Sequence, residues 1–331
     1  MKLIWNNPLI IKNIEKKPSK RFSIIVVHRN GNQRLLNFLN SVKSAINIEQ
    51  DEVIVVDNHS SDDSIENAQS KYPFIQVINN FCNTGYAHAC NQGIQKSYGE
   101  YILICNNDLE LSPDILGQFI ADFNQNPNAG LIGGQLHASD GSLSRSAGSA
   151  TTFYSELGFK SKRKPIFDTN QPSKVGSVVG ACMAVRRETI LDAGSLDDDF
   201  FFYYEETEWC LRIRRHGWDV LFDPRIRITH TGGASTQSYF KAARIEFFRS
   251  RLLYWKKTLS NTQVLILYLW HTPKLAIDSF IYLVFTSITL GKNKKLKYKL
   301  IDKSLMLSYV LLGFPKSWGL PDKPSLKESQ E

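Results

Sequence analysis

The chain reads as an α/β protein with a mainly parallel central sheet, followed by a helical C-terminal extension. Three observations predict this. Apolar runs at 22–27 (FSIIVV), 53–56 (VIVV), 75–78 and 101–105 (YILIC) alternate with segments of helical spacing, the order of repeated strand–helix units. The runs are apolar without alternation, as strands covered on both faces require. Residues 236–331 then change character, to long basic and apolar stretches with helical spacing.

Taken in order, residues 1–20 form a lead-in that ends near Pro18. The strand at 22–27 runs into the polar turn His28-Arg29-Asn30-Gly31. A helix follows, with Leu35, Leu36, Leu39, Val42 and Ile46 at helical spacing. The strand at 53–56 ends on Asp57, and a helix runs to Lys71. Ser61 or Asp62 suits the cap of that helix. Asp57 comes too early to cap and suits a ligand, as carboxylates at strand ends do in α/β units. After the strand at 75–78, Asn83 and Gly85 open the next helix, where backbone N–H groups suit an anion and a glycine lets the backbone approach a ligand.

The fourth strand stops at Asn106-Asn107-Asp108. Read with strand period two, it delivers Asn106 and Asp108 to its carboxyl edge on one side, where open sheets bind ligands. Asn-x-Asp offers hard oxygen ligands for Mg²⁺; the alternative is an Asx-turn loop before a helix starting at Ser112-Pro113. Residues 130–175 read as a strand and then a long irregular segment, in the manner of a substrate lid. Residues 178–185 (VVGACMAV) read as another buried strand, with Gly180 small where a ligand lies close. A helix from Arg186 ends at Gly194.

Next come four aromatics and three acids, Phe201-Phe202-Tyr203-Tyr204-Glu205-Glu206-Thr207-Glu208, opening a helix to His216. Acids favour a helix N-terminus through the dipole. Carboxylates among aromatics also have raised proton affinity, as a general base needs. Two short strands, at 218–222 and 226–229, flank Pro224, and the second delivers His230 to a position from which it could reach a metal at Asp108.

At 331 residues, 42% hydrophobic and 22% charged, the chain has material for one large or two small folded domains. The formal net charge of +8 favours an anionic partner: nucleic acid, a nucleotide or an anionic membrane. No nucleic-acid-binding module is visible. Neither a Walker loop nor G-x-G-x-x-G occurs, so nucleoside triphosphatase and Rossmann dehydrogenase are unsupported. The five cysteines include no Cys-x-x-Cys pair, which predicts reduced thiols in a cytoplasmic compartment. The first twenty residues carry five lysines and a glutamate and lack the apolar core of a signal peptide.

These motifs together resemble glycosyltransferase family 2, in its bacterial rhamnosyltransferase-like branch. The resemblance rests on VVDNHSSDDS at 55–64, NTGYAHACNQG at 83–93, NND at 106–108, GACMAVRRE at 180–188, FFYYEETEWCLRIRRHGW at 201–218 and HTGGAS at 230–235. It implies a GT-A nucleotide-sugar-binding fold over residues 21–235, with 236–331 as a helical region. It also implies an inverting, metal-dependent transfer of a sugar, best rhamnose from dTDP-rhamnose, to a glycan acceptor in bacterial surface polysaccharide synthesis. Another hexose from a UDP-sugar is the alternative, as is a catalytically silent sugar-binding scaffold. Asp57 resembles the aspartate that holds the nucleotide base; Asn83 and Gly85 lie in the donor turn, and Asn106 and Gly180 join the donor side. Asp108 resembles the last residue of the family's Asp-x-Asp motif, which holds Mg²⁺ or Mn²⁺ on the donor diphosphate, and His230 resembles a histidine completing that site. Glu206 stands where the family carries its base, with Glu205 the other candidate, because Glu-Glu-x-Glu replaces Glu-Asp-x-Asp.

In the C-terminal region, residues 237–257 are amphipathic and basic. Residues 264–290 are apolar but interrupted by Pro273, Lys274 and Asp278, so no membrane span is expected there. Lys292, Lys294, Lys295, Lys297 and Lys299 follow. Basic amphipathic helices lie on anionic membranes. The expectation is peripheral contact with the inner face of the cell membrane, suiting an acceptor carried on a polyprenyl diphosphate. Packing on the catalytic core or a homodimer is the alternative.

Overall fold

The computed structural model describes residues 18–159, 170–230, 240–315 and 317–320. The lead-in up to residue 17, the centre of the expected lid at 160–169, and the segment Thr231-Gly232-Gly233-Ala234-Ser235 lie outside the described residues.

Strands β1 (Lys20–His28), β2 (Asp51–Asp57), β3 (Ile75–Asn79) and β4 (Gly99–Asn106) form the first half of a nine-stranded sheet ordered β3-β2-β1-β4-β10-β6-β11-β5, with β8 against β11. In the second half lie β5 (Leu109–Glu110), β6 (Ala129–His137), β8 (Ser173–Lys174), β10 (Cys182–Arg186) and β11 (Asp219–His230). β1 to β4 are mutually parallel. β10 is antiparallel to both β4 and β6, and β11 is parallel to β6, so β6 and β11 share the direction of β1 to β4. β5 and β8 run against β11. The sheet is therefore mainly parallel, as expected, and the carboxyl ends of β1, β2, β4 and β11 meet at one edge. A separate two-stranded ladder pairs β7 (Ala147–Gly148) with β9 (Ser177–Val178).

Both faces of the sheet are covered, which explains the unbroken apolar runs. On one face Ile24, Val26, Val53 and Leu103 pack against α1 (Asn32–Ala45), α2 (Ser64–Lys71) and α4 (Ile115–Gln125). On the other Ile25, Ile54, Ile104 and Met183 pack against α3 (Tyr86–Lys96), α6 (Arg187–Ala193) and α7 (Glu205–Arg215). Each fully buried Ile or Leu contributes about 1.5–3 kcal/mol. A third core joins Phe200 to α8 (Phe240–Thr258), α9 (Asn261–Ile288) and α10 (Lys294–Leu311). The short helix α5 (Phe153–Glu156) is tied to α8: Glu156 pairs with Arg251, and Tyr254 Oη donates to Thr151 O at 3.1 Å.

Several boundaries differ from the sequence reading, each for a local reason. β4 ends at Asn106, and Asn107-Asp108 form a turn into β5, so strand alternation does not orient Asp108. The stretch at 178–185 is not one strand: β9 leaves the sheet to pair with β7, a turn at Gly180-Ala181 intervenes, and β10 then pairs antiparallel to β4. The two strands expected around Pro224 are one strand, β11, whose register shifts between Asp223 and Arg227; a bulge accommodates a proline that cannot donate to the ladder. The helix expected from Ser112-Pro113 begins at Ile115, after a turn in which Ile115 N donates to Ser112 O. Pro273 does not interrupt the apolar stretch: α9 is continuous for 28 residues, with Lys274 Nζ paired to Asp278 one turn on at 3.2 Å. By length and composition alone α9 meets the requirement for crossing a membrane, contrary to the expectation from its interruptions.

Candidate active site

Topology brings Asp108 and His230 together. The antiparallel pairing of His230 with Leu109 sets the end of β11 beside the turn after β4. His230 Nε2 lies 3.2 Å from Asp108 Oδ1, with both side chains largely covered. The carboxylate suits Mg²⁺ or Mn²⁺, and the imidazole beside it fits Mn²⁺ better than the oxygen-seeking Mg²⁺. Adjacent ligands of an octahedral ion with bonds of ~2.1 Å lie ~3 Å apart, which matches this pair. Among the described residues no group of three or more His, Cys, Asp or Glu surrounds one point. The remaining coordination would therefore fall to substrate phosphate and water, as is usual for Mg²⁺.

The turn carrying Asp108 is braced by a network that the sequence reading missed. Asn107 Nδ2 lies 2.7 Å from His28 Nδ1, and His28 Nε2 lies 2.8 Å from Ser64 Oγ. Ser64 Oγ donates to Asp62 Oδ1 at 2.5 Å, and Asp62 Oδ2 accepts from Gly31 N at 2.6 Å. Burial pushes His28 down to about 4, so it is neutral near neutral pH. With the Asn107 amide donating, His28 accepts at Nδ1 and donates from Nε2. Asp62 thus does more than suit a helix terminus. A strand-end histidine in the sequence gives no sign of this role.

The donor-side candidates line the same edge. His28 is in register with Asp57 across β1 and β2, and Val27 with Asn106 across β1 and β4. Asp57 is buried and accepts from Ser60 N at 3.2 Å and from Ser60 Oγ at 2.5 Å. Oδ1 takes both Ser60 donors while Oδ2 only shares the Ser60 N–H, at 3.2 Å, so Asp57 retains acceptor capacity at Oδ2. Asn83 Oδ1 accepts from Asn58 Nδ2 at 2.8 Å and from Gly85 N at 3.1 Å. Asn58, also missed, receives Thr84 N at 2.9 Å and is the buried hub of this turn. Gly85 has φ of 87°, and a Cβ there would meet Phe201 O at 2.7 Å. Its close approach is therefore to the loop before α7, not to an outside ligand.

The three glutamates of α7 separate by environment. Glu208 pairs with Arg212 at 2.8 Å, and Arg212 also donates to Ala193 O and Ser195 O, so this carboxylate anchors a loop. Glu205 is buried, with Oε2 lacking a hydrogen-bond partner among the described residues. Burial, then the neighbouring charge of Glu206, pushes its proton affinity well above the ordinary carboxylate range. Glu206 remains partly exposed; burial raises its pKa, while backbone N–H groups at the helix start, the Thr207 hydroxyl and the Arg145 charge oppose the rise. A Cβ at Gly180 would meet Glu206 Cβ at 3.3 Å and Cγ at 3.4 Å, so the glycine makes room for this side chain. Asn106 N donates to Ala181 O at 2.9 Å, which links the Gly180 turn, on which Glu206 packs, to the end of β4.

Glu205 supports a pH prediction. Its folded-state pKa lies above its unfolded value, so its stabilising contribution is present below about pH 4.5 and is lost as pH rises toward the folded value. Glu205→Gln, which removes the titration, is expected to raise Tm more at pH 8 than at pH 5. Thermal unfolding at both values checks this; an equal change at both would contradict it.

The glycosyl transferase family 2 profile matches residues 23–193. The N-acetylglucosaminyl-diphospho-decaprenol L-rhamnosyltransferase of Mycobacterium tuberculosis is 25% identical over 208 residues, 56% of this chain and 67% of that protein. The dTDP-rhamnosyl transferase RfbF of Shigella flexneri is 26% identical over 225 residues, 65% of this chain and 70% of that one. Among solved structures, the mannosyltransferase PcManGT of Pyrobaculum calidifontis, in complex with GDP-Man and Mn²⁺, aligns over 93% of both chains with a TM-score of 0.57 at 14% identity. The α/β architecture and the profile match over half the chain agree with the resemblance read from its motifs: the chain belongs to glycosyl transferase family 2.

Proposed function

We propose that this glycosyltransferase is inverting and metal-dependent, moving rhamnose from dTDP-rhamnose to a lipid-linked glycan acceptor on the cytoplasmic face of the membrane, in surface polysaccharide synthesis. The observation that carries the reading is the pairing of Asp108 with His230 at 3.2 Å at the carboxyl edge of the sheet; the partly exposed Glu206, beside the Gly180 turn, is the candidate base. Asp57, Asn83 and Asn106 shape the donor side, where Asp57 accepts from the nucleotide base. A divalent ion held by Asp108 and His230 would supply positive charge to the departing diphosphate.

Glu206 carries the proton chemistry. Its raised pKa suits a group that takes the acceptor hydroxyl proton as the hydroxyl attacks the anomeric carbon. The carbon–oxygen bond to the diphosphate breaks as the new glycosidic bond forms on the opposite face, so one displacement inverts the centre. The burial of Glu205 and the ion pair of Glu208 favour Glu206 over its neighbours as the base.

Thermal stabilisation by nucleotide sugars in the presence of Mn²⁺ tests the donor assignment. The largest Tm rise is expected with dTDP-rhamnose, and a larger one with a UDP-hexose would reassign the sugar. Absence of nucleotide release from every donor, with a lipid-linked acceptor supplied, would remove the transferase reading.

A further inference from the structure

The three C-terminal helices enclose a cavity of about 240 Å³, lined by Arg244, Phe247 and Arg251 of α8, Lys274 and Asp278 of α9, and Lys303 of α10, among other residues. We propose that this cavity is the subsite for the diphosphate of a polyisoprenoid-linked acceptor, with the hydrocarbon leaving along the exposed face of α9. The proposal rests on the transferase reading for its acceptor, but on its own geometry for the site.

Four cations face the cavity with one acid, and apolar side chains of Phe247, Phe248, Leu275 and Met306 complete its wall. Such a lining suits a molecule with an anionic head and an apolar body. The cations are not equally held. Arg244 is paired to Asp302 at 2.6 Å and Arg251 to Glu156, so both are anchored. Lys274 reaches Asp278 at 3.2 Å and Lys303 reaches Asp302 at 3.5 Å, longer than the roughly 2.7–2.9 Å of strong charge-assisted contacts. Both lysines are thus placed to turn onto phosphate oxygens. The cavity is smaller than the roughly 300–1,000 Å³ of typical small-molecule sites, so it fits a head group rather than a whole glycan.

The occupant is set by what adjoins the cavity on either side. Outward, α9, the helix that gives the cavity Lys274, Leu275 and Asp278, exposes Leu269, Trp270, Ile277, Phe280, Ile281 and Phe285. The start of α10 adds Lys294, Lys295, Lys297 and Lys299, the charges that hold a helix on an anionic bilayer. Inward, the ring of Phe247 contacts those of Tyr203 and Tyr204 at 5.5 and 5.3 Å, and Tyr204 directly precedes Glu205 and Glu206. A diphosphate in this cavity would therefore sit between a lipid face and the loop that carries the proton-accepting glutamate, as an acceptor with its sugar at one end and its lipid at the other requires.

The test is calorimetric binding of geranylgeranyl diphosphate to the full chain in detergent, with inorganic pyrophosphate and geranylgeraniol as comparison probes. The wild-type chain is expected to bind geranylgeranyl diphosphate at least a hundredfold more tightly than either comparison probe. The double substitution K274A/K303A should weaken that binding at least tenfold. Asp278→Asn, which removes the acid from the lining, should tighten it, a gain that general damage to the fold would not produce. Pyrophosphate binding as tightly as the prenyl diphosphate would overturn the lipid assignment. Unchanged binding in the double variant would overturn the site. If prenyl diphosphate binding behaves as expected while no donor releases nucleotide, the subsite stands and the transferase reading falls; the reverse pattern leaves the transferase and removes the subsite.

Discussion

Glu206→Gln is expected to lower kcat by about 10²–10⁴-fold, the usual contribution of a positioned general base. The amide keeps the size of the side chain and its fit against Gly180 but cannot take a proton. Donor affinity, measured with Mn²⁺ present, should therefore stay within about twofold, because the lost interaction belongs to the transition state. In the wild-type chain, burial raises the Glu206 pKa, and the base form exists above that value. kcat/KM should accordingly rise with pH through an apparent pKa above the usual glutamate range, and this limb should vanish in Glu206→Gln. Near-normal turnover in the variant would remove Glu206 from the chemistry. Glu205→Gln serves as the internal contrast: its carboxyl is buried, so turnover should change far less than in Glu206→Gln.

Asp108→Ala is expected to act on a different quantity. Losing the carboxylate leaves His230 as the one proposed ligand among the described residues, so both donor affinity and rate should fall. Removing a group that stabilises developing negative charge costs roughly 10²–10³-fold in rate. The variant should also lose most of the stimulation that Mn²⁺ gives the wild-type chain, and titration of nucleotide binding against Mn²⁺ reads this directly. His230→Ala should weaken Mn²⁺ dependence in the same direction. An Asp108→Ala chain with unchanged metal dependence would detach this aspartate from the ion, leaving the pair at 3.2 Å as a structural ion pair.

Much of the fold was legible because the strands are buried on both faces. Runs such as YILIC and VIVV carry no polar alternation, and their polar termini mark the strand ends at Asp57 and Asn106. The position of Asp108 near a strand end was equally legible, but its orientation was not. That depends on β11 returning to pair with β5, a contact between residues about 120 positions apart, at His230 and Leu109. The acidic triplet shows the same limit. Adjacent glutamates on a helix have similar sequence signals, and burial of Glu205, the Arg212 partner of Glu208 and the space over Gly180 decide their separate environments. Pro273 misled in the other direction: proline propensity argues for an end, yet packing of α9 against α10 carries the helix through. The His28–Asn107 brace was invisible because a lone histidine after an apolar strand has no periodic or motif signature.

The loop before α7 bears on any attempt to recombine this protein. Tyr203 and Tyr204 both have φ near +69°, a backbone region that bulky side chains seldom occupy. They are held there by α8: Phe247 packs on both rings, Ser250 Oγ donates to Phe202 O at 2.7 Å, and Lys257 grips Asp197 and Asp199. The apparent seam between an N-terminal enzyme and a C-terminal accessory is therefore misleading for chimera construction. Exchanging the terminal helices with those of a relative to alter acceptor choice would also loosen the aromatic hinge that aims the glutamate, and such grafts should carry the 197–206 loop with its matching helix.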